Sequence, residues 1–401
     1  MDNKQFSEKS NKAFETAKLT SYWLYLAGIP EALEYGKLIG LEDGIDPTQI
    51  PHSKDMCFLN PIIHEIRYSS INHYIRQSGC KNVLDIACGY SPRGMFLAGE
   101  GYHYIGADLP VVARELEPIT EKTGLDNYEY VGVDATNYES LKAAADKLEG
   151  PVCIVVEGLG MYLSSQDAAV VRRNIARIMS KHPGSVYVTT DPGNGYLFFD
   201  VITANYPPER MRIAFGMLFE MYNWASDGGI TMETDKRPLE TDVELFKEAG
   251  LIAKMCPLLP DDTELLTLKK LPGETADKLR KALAHPFTFV SSLSSDYSAE
   301  DEKDQTFCMD LSIKDDTLYI TVAGRLDTLS SPGLLECFEK NRDRISTVEI
   351  DAGGLTYLAA SGSRVLHLIR KELSLPEALK IKNLRADIQK QFEDDEIIKH
   401  L

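Results

Sequence analysis

The sequence predicts an α/β protein: a mainly parallel sheet with helices between its strands, a helical cap before it and a smaller α/β unit after it. Three observations predict this. Five apolar runs of strand length recur between residues 83 and 191, alternating with stretches of helical character, the pattern of a parallel sheet. Each run carries an acidic residue at or just beyond its carboxyl end, which is the ligand edge of an open α/β sheet. A segment at 286–305 turns Ser-rich and then acidic, reading as a linker, and the residues beyond it carry their own hairpin and helix signals.

The chain has 401 residues, more than one compact core usually holds, so at least two domains are expected. The net charge of −18 argues against a general binder of nucleic acid or anionic membranes, whose phosphates repel such a surface. The seven cysteines are scattered without a C-x-x-C pair, which fits a reducing cytoplasm better than a disulfide framework or a metal site. No apolar stretch reaches membrane-spanning length and the first residues are polar, so a cytoplasmic location is expected.

Residues 1–78 read as helices. Leu24–Gly40 mixes apolar and charged residues at helical spacing, and Tyr22, Trp23 and Tyr25 form an aromatic cluster that serves either as a lid over a pocket or as core packing. A further helix over Pro61–Ser78 carries His64, Arg67, His73 and Arg76. The first strand, Val83–Ala87, runs into Gly89, where a tight turn lets the backbone approach a ligand, and Pro92 with Arg93–Gly94 suits a helix start. Strand, glycine turn and helix N-terminus together make a nucleotide-binding corner. Tyr104–Asp108 follows about twenty residues on, the distance at which an acid grips ribose hydroxyls. Tyr130–Asp134, Val152–Glu157 and Val186–Asp191 are the next strands, with crossover helices over Ser140–Leu148 and Gln166–Ser180, the latter capped by Ser164 or Ser165. Tyr196–Asn223 is rich in aromatics and methionine (Tyr196, Phe198, Phe199, Phe215, Met217, Phe219, Met221, Tyr222), which line an apolar pocket or form core or a dimer face. Glu240–Gly250 reads as an amphipathic helix ending at a glycine. Leu251–Met255 and Leu265–Leu268 are the runs available to complete the sheet.

From residue 306, Cys308–Ile313 and Leu318–Val322 alternate about Asp315–Asp316, predicting a hairpin. A loop at Gly324–Thr328, a helix from Ser330 or Ser331 to Asn341, a strand at Thr347–Asp351, a helix at Ser361–Glu372, a strand at Leu379–Lys382 and a helix at Ala386–His400 follow.

The residues VLDIACGYSPRG (83–94), IGADLP (105–110) and VVEGLGMYLS (155–164) resemble class I S-adenosylmethionine-dependent methyltransferases, in particular the leucine carboxyl methyltransferase group and the related polyketide O-methyltransferases. The last segment is similar to that group's E-G-x-x-x-Y-L pattern, and the helix around Arg67–His73 resembles the one whose arginine grips the cofactor carboxylate. The resemblance covers about residues 20–270 and implies a Rossmann-like seven-stranded sheet, residues 79–285, behind an N-terminal cap, residues 1–78. It implies S-adenosyl-L-methionine as cofactor, with Arg67 on its carboxylate, Gly89 by its methionine part, Asp108 on the ribose, Asp134 near the adenine and Glu157 beside the reacting centre. Asp85, Ala87, Leu109 and Ala135 belong to the same cofactor set, and Tyr162 is a candidate for orienting substrate. The turn departs from G-x-G-x-G, since Ala87, Tyr90 and Ser91 flank Gly89.

The segments VAGRLDTLSSPGL (322–334), VEIDAGGLTYLAASGSRVL (348–366) and LKIKNL (379–384) resemble the STAS domain of bacterial anti-sigma-factor antagonists and sulphate transporters, covering nearly all of 306–401. That resemblance implies regulation, a protein partner or self-association. Its phosphate-accepting serine falls on Ala360, which has no hydroxyl; Ser361 is the neighbour and is expected to cap the helix instead.

An O-methyltransferase acting on a small, apolar or aromatic molecule is thus expected. A carboxylate nucleophile needs no base, while a hydroxyl needs one. His103 and His182 read as structural, which favours a carboxylate or an acidified phenol. The alternatives are a cofactor-binding signalling protein and, third, a nicotinamide-dependent dehydrogenase, which expects a fuller glycine fingerprint.

Overall fold

The computed structural model describes residues 13–41, 59–225, 239–260, 263–284, 286–298, 306–373 and 375–391. It divides into two compact units, the first taking Met1–Ala135 and Ser140–Ala299 and the second Thr136–Glu139 and Glu300–Leu401.

The first unit opens with helices α1 (Ala13–Ala27) and α2 (Pro30–Leu38), broken at Gly28, and a long α3 (Leu59–Ser78). The chain then alternates: β1 (Asn82–Ile86), α4 (Arg93–Gly99), β2 (His103–Asp108), α5 (Pro110–Thr123), β3 (Tyr128–Gly132), α6 (Tyr138–Ala145), β4 (Val152–Val156), α7 (Ser165–Lys181) and β5 (Val186–Thr189). Next come α8 (Asn194–Asn205), α9 (Pro208–Ala225), α10 (Leu239–Glu248), β6 (Leu251–Pro257), α11 (Leu266–Lys269), α12 (Gly273–Ala282) and β7 (Phe287–Leu293). The seven strands order as β3-β2-β1-β4-β5-β7-β6, with β1 to β5 parallel and β7 antiparallel to both neighbours. Strands β1 and β4 are almost wholly buried, as central strands covered on both faces require. All five parallel strands therefore end at one rim.

Two expectations fail here. Leu265–Leu268 is not a strand; Leu266–Lys269 is a short helix whose first amides, Leu266 and Thr267, donate to the buried Glu65 carboxylate. The seventh strand is Phe287–Leu293, inside the stretch read as a 286–305 linker, and the first unit runs on to Ala299. Its serines mislead: Ser291 is 1% exposed and Thr288 fully buried, the latter hydrogen-bonded to Ser70 (Oγ1···Oγ 2.6 Å). A strand paired on both sides needs inward alternation, not an apolar run.

One apolar core joins the cap to the late helices, with Leu19 and Trp23 of α1 and Leu59, Ile62, Ile63 and Ile66 of α3 against Leu197, Phe198, Val201 and Ile202 of α8. The aromatic stretch thus splits: Phe198 is core, Phe199 and Tyr196 are exposed, and the side chains of Phe219, Met221 and Tyr222 lie outside the described residues. No helix among the described residues is long and apolar enough to cross a membrane.

The second unit holds β8 (Cys308–Lys314), β9 (Thr317–Leu326), α13 (Ser331–Asn341), β10 (Thr347–Leu358), α14 (Ala360–Glu372), β11 (Leu379–Lys382) and α15 (Ala386–Gln391), with sheet order β11-β10-β9-β8. Residues 392–400 of the expected last helix lie outside the described residues. Strand β9 runs through the expected loop at Gly324–Thr328 as far as Leu326, and β10 continues past Asp351 through register shifts between Asp351 and Gly354 and between Leu355 and Tyr357. Ser361 is not the helix cap: Ala359 holds that position, and Ser361 Oγ accepts from Thr328 Oγ1 at 3.3 Å.

The β8–β9 hairpin turns on Asp315 and Asp316 alone, at φ +49° and +64°, the left-handed pair of a two-residue turn. A β-branched residue does not tolerate that region. Asp315→Val is expected to destabilise the second unit by about 1–2 kcal/mol, and Asp315→Gly to leave it nearly unchanged. Calorimetric unfolding of the full chain measures both; equal stabilities for the two variants would contradict the turn assignment.

Candidate functional site

At the rim, Asp108 is the last residue of β2, Glu157 follows β4, and Asp134 and Asp191 lie two residues past β3 and β5. The parallel register of β1 with β2 and β4 sets the Gly89 turn between the Asp108 and Glu157 exits. Gly89 has φ +51°, and its amide donates to Asp108 Oδ2 at 2.7 Å. The other Asp108 oxygen accepts from the Leu109 amide at 2.7 Å, at the start of α5. Burial pushes the Asp108 carboxyl up to about 6, against the pull of those two amides. Ala87 stands at φ +57°, an uncommon conformation for a residue with a Cβ, and its amide donates to Ala107 O at 2.7 Å. The cap closes over this turn: Ala17 of α1 lies against Gly89, and Ser21 Oγ donates to the Tyr90 carbonyl.

Beneath the turn is a buried ionic network that no single motif announced. Arg93, 1% exposed, engages each of its three nitrogens: Nε donates to Asn72 Oδ1 at 2.9 Å, Nη1 to Asp85 Oδ2 at 2.7 Å and Nη2 to Glu157 Oε2 at 2.5 Å. Its guanidinium lies over the Tyr68 ring, 5.3 Å from the centroid. Asp85 is fully buried and also accepts from Tyr104 Oη at 2.8 Å. Asp85 thus braces Arg93 from beneath the turn. The signal was present, since an acid inside an apolar strand requires a buried cation.

Glu157 is held from two sides. Burial opposes its ionisation, but Arg93 and Arg67 outweigh it and keep the carboxyl below the usual glutamate range. Arg67, on α3, is 7% exposed; its Nε stands 3.4 Å from Glu157 Oε1 without a hydrogen bond to any described residue. It is a buried guanidinium with its Nε left over, beside Glu157 at the exit of β4. A carboxylate is what such a fork accepts best.

Past Glu157, the Asp191 carboxylate gathers the amides of Gly158 (2.6 Å), Leu159 (3.0 Å) and Gly160 (2.7 Å), fixing the loop that leads to Tyr162. Tyr162 is half-buried on the 3-10 turn Gly160–Tyr162. Asp134 is buried at the exit of β3, where its amide donates to Ser140 Oγ at 3.0 Å; the Ala135 carbonyl accepts from Asn174 Nδ2 at 3.1 Å. Sequence reasoning also passed over His64, which acts electrostatically with both Arg67 and Glu157. The rim thus unites Arg67, Ala87, Gly89, Asp108, Leu109 and Glu157, while Asp85 lies beneath it.

No protein-family model matches the chain, and no curated protein matches it. Solved structures of distant likeness include the O-methyltransferase NcsB1 from neocarzinostatin biosynthesis in complex with S-adenosyl-L-homocysteine and 1,4-dihydroxy-2-naphthoic acid, 16% identical over 58% of this chain and 56% of that one, TM-score 0.36. PigF with SAH is 16% identical over 65% and 62%, TM-score 0.36, and LaPhzM is 17% identical over 72% and 67%, TM-score 0.33. This chain therefore spans little more than half the length of NcsB1. Likenesses this distant carry no argument about what the chain does.

Two outcomes follow from the site's electrostatics. Arg93→Met strands two buried carboxylates and is expected to destabilise the protein by about 3–5 kcal/mol, with part recovered in Arg93→Met/Asp85→Asn; denaturant unfolding measures this, and a loss under 1 kcal/mol would contradict the network. Asp108 has a folded pKa above its unfolded one, so its contribution to stability is present in acid and lost as pH rises through about 6. Relative to Asp108→Asn, the wild type should lose about 2–3 kcal/mol between about pH 4 and 7. A constant difference between the two across that range would contradict the shift.

Proposed function

We propose that the first unit is an S-adenosylmethionine-dependent O-methyltransferase acting on a small apolar or aromatic molecule. The observation that carries this reading is Arg67: a buried guanidinium with its Nε unengaged, set beside Glu157 at the rim that the sequence resemblance marks as the cofactor site. The residues present fit that cofactor. Arg67 would take its carboxylate, the Gly89 turn would admit its methionine part, and Asp108 would receive the ribose hydroxyls in exchange for one of its two amide donors.

The cofactor, when bound, supplies a methyl group on a cationic sulfur. The chain's own residues do the rest. Ionised Glu157, held by Arg93, places negative charge near that cation. The Asp191-bound loop fixes the approach to Tyr162. The cap helix α1, packed on the Gly89 turn, excludes water from the reacting centre, so that positioning and desolvation lower the barrier.

The second unit is proposed, on its sequence resemblance, to be a STAS-type regulatory or docking unit. With alanine at 360, that role does not run through phosphate on the usual residue.

Calorimetric titration with S-adenosylmethionine, S-adenosylhomocysteine and NAD tests the reading. Heat with the first two and none with NAD is expected. Arg67→Met should weaken binding about 10–100-fold and Asp108→Ala by about 1–3 kcal/mol. Binding of NAD alone would overturn the proposal, and cofactor binding without transfer to any acid or phenol would favour a sensor.

A further inference from the structure

The four-stranded sheet of the second unit has two unlike edges. One, β11, is four residues long and carries Lys380 and Lys382, the short, lysine-bearing kind that resists pairing with another chain. The other, β8, is unguarded along most of its length. It runs seven residues, contains no proline, pairs with β9 in unbroken register and keeps its one lysine for the end. That register sets Met309, Leu311 and Ile313 opposite Val322, Ile320 and Leu318, on one face of the sheet. The β9 members of this face are 1% exposed or less, whereas Leu311 is 53% and Ile313 41% exposed. The apolar face thus continues onto the edge strand without its cover.

A further strand is what such an edge takes. The two-residue turn makes Lys314 and Thr317 a hydrogen-bonded pair, so by alternation Ser312, Asp310 and Cys308 also bond to β9. The backbone amides and carbonyls of Met309, Leu311 and Ile313 are therefore the ones that face outward from the edge.

We propose that β8 pairs antiparallel with β8 of a second copy of this chain, about a two-fold axis through Ser312, joining the two four-stranded sheets into one. The charges choose this register. With the axis at Ser312, Asp310 of each copy stands opposite Lys314 of the other, and Leu311 opposite Ile313. The charged pairs are then of the non-hydrogen-bonded, closer kind, in which opposite charges attract and like charges repel most. With the axis at Leu311, Asp310 meets Ser312 and Lys314 meets Cys308, so no charge is matched; with the axis at Asp310, two aspartates meet. A symmetric contact uses one patch on both copies and closes on itself, so it gives a dimer and not a fibre. Residues 310–314 of each copy bury less than the about 1,200 Å² of a stable interface, so association is concentration-dependent. The inference concerns the second unit alone and does not rest on the methyltransferase reading.

The test is sedimentation equilibrium of the full chain with the charge reversed at either position. The wild type is expected to reach twice the mass of one chain by about 100 μM. Asp310→Lys and Lys314→Asp should each weaken self-association at least about tenfold, because each sets like charges opposite one another twice. An equimolar mixture of the two variants should associate as the wild type does, since every lysine then faces an aspartate, and that restoration also shows both variants folded. A wild type monomeric at that concentration leaves the edge to some other partner and overturns the proposal. A dimer indifferent to both reversals, or a mixture that stays monomeric, overturns it as well. A second measurement leaves the charges alone. With the exposed thiol of Cys308 removed by Cys308→Ser, Ser312→Cys should form a disulfide-linked dimer on treatment with diamide and Leu311→Cys should not, because only residue 312 meets its own copy across the axis. Cross-linking at 311 in place of 312 overturns the register and the proposal with it.

Discussion

The site depends on one buried guanidinium. Arg93 ties the start of α4 to β1 through Asp85, to α3 through Asn72 and Tyr68, and to the exit of β4 through Glu157. An ammonium could not replace it, because a planar fork reaches three acceptors in fixed directions where a point charge reaches them only by displacement. With almost no exposure, the network cannot lose a member without leaving a bare charge in the interior. Its consequence for function is positional. Glu157 Oε2 is held by Arg93, so Oε1 alone faces Arg67, whose Nε makes no hydrogen bond to any described residue.

A second constraint comes from backbone amides meeting carboxylates. Asp108 bridges the Gly89 turn and the start of α5, and Asp191 gathers three successive amides after β4. Each aligns a loop that would otherwise leave polar groups unpaired. The acids that close the strands thus do two kinds of work. Asp191 is committed to the fold, while Asp108, with its raised pKa, holds amide contacts that a hydroxyl donor could join or displace.

Much of this was legible in the sequence. The five parallel strands overlap the apolar runs that predict them, the third beginning two residues early at Tyr128 so that Asp134 lies beyond it, and their acids gather at one rim because parallel strands end on one side. The hairpin about Asp315–Asp316 was legible for the same kind of reason: alternation on either side of two turn residues. What escaped depends on contacts far apart in the chain. Phe287–Leu293 reads as linker because its inward serine and threonine are satisfied by position, as Thr288 is by Ser70, and not by apolar character. Leu265–Leu268 is apolar enough for a strand, yet Glu65, some two hundred positions away, caps it as a helix. Arg93 looked like an ordinary first-turn residue until Asp85, Asn72 and Glu157 converged on it.

The central claim is that this rim receives an adenosine-bearing sulfonium by its carboxylate, at Arg67. A crystal structure with S-adenosylhomocysteine tests it most directly. The account predicts the ligand carboxylate within hydrogen-bond distance of the Arg67 guanidinium and the ribose hydroxyls at Asp108, with the Arg93 network unchanged. A ligand bound elsewhere, or bound here with its carboxylate turned to solvent and Arg67 still facing only Glu157, would contradict it.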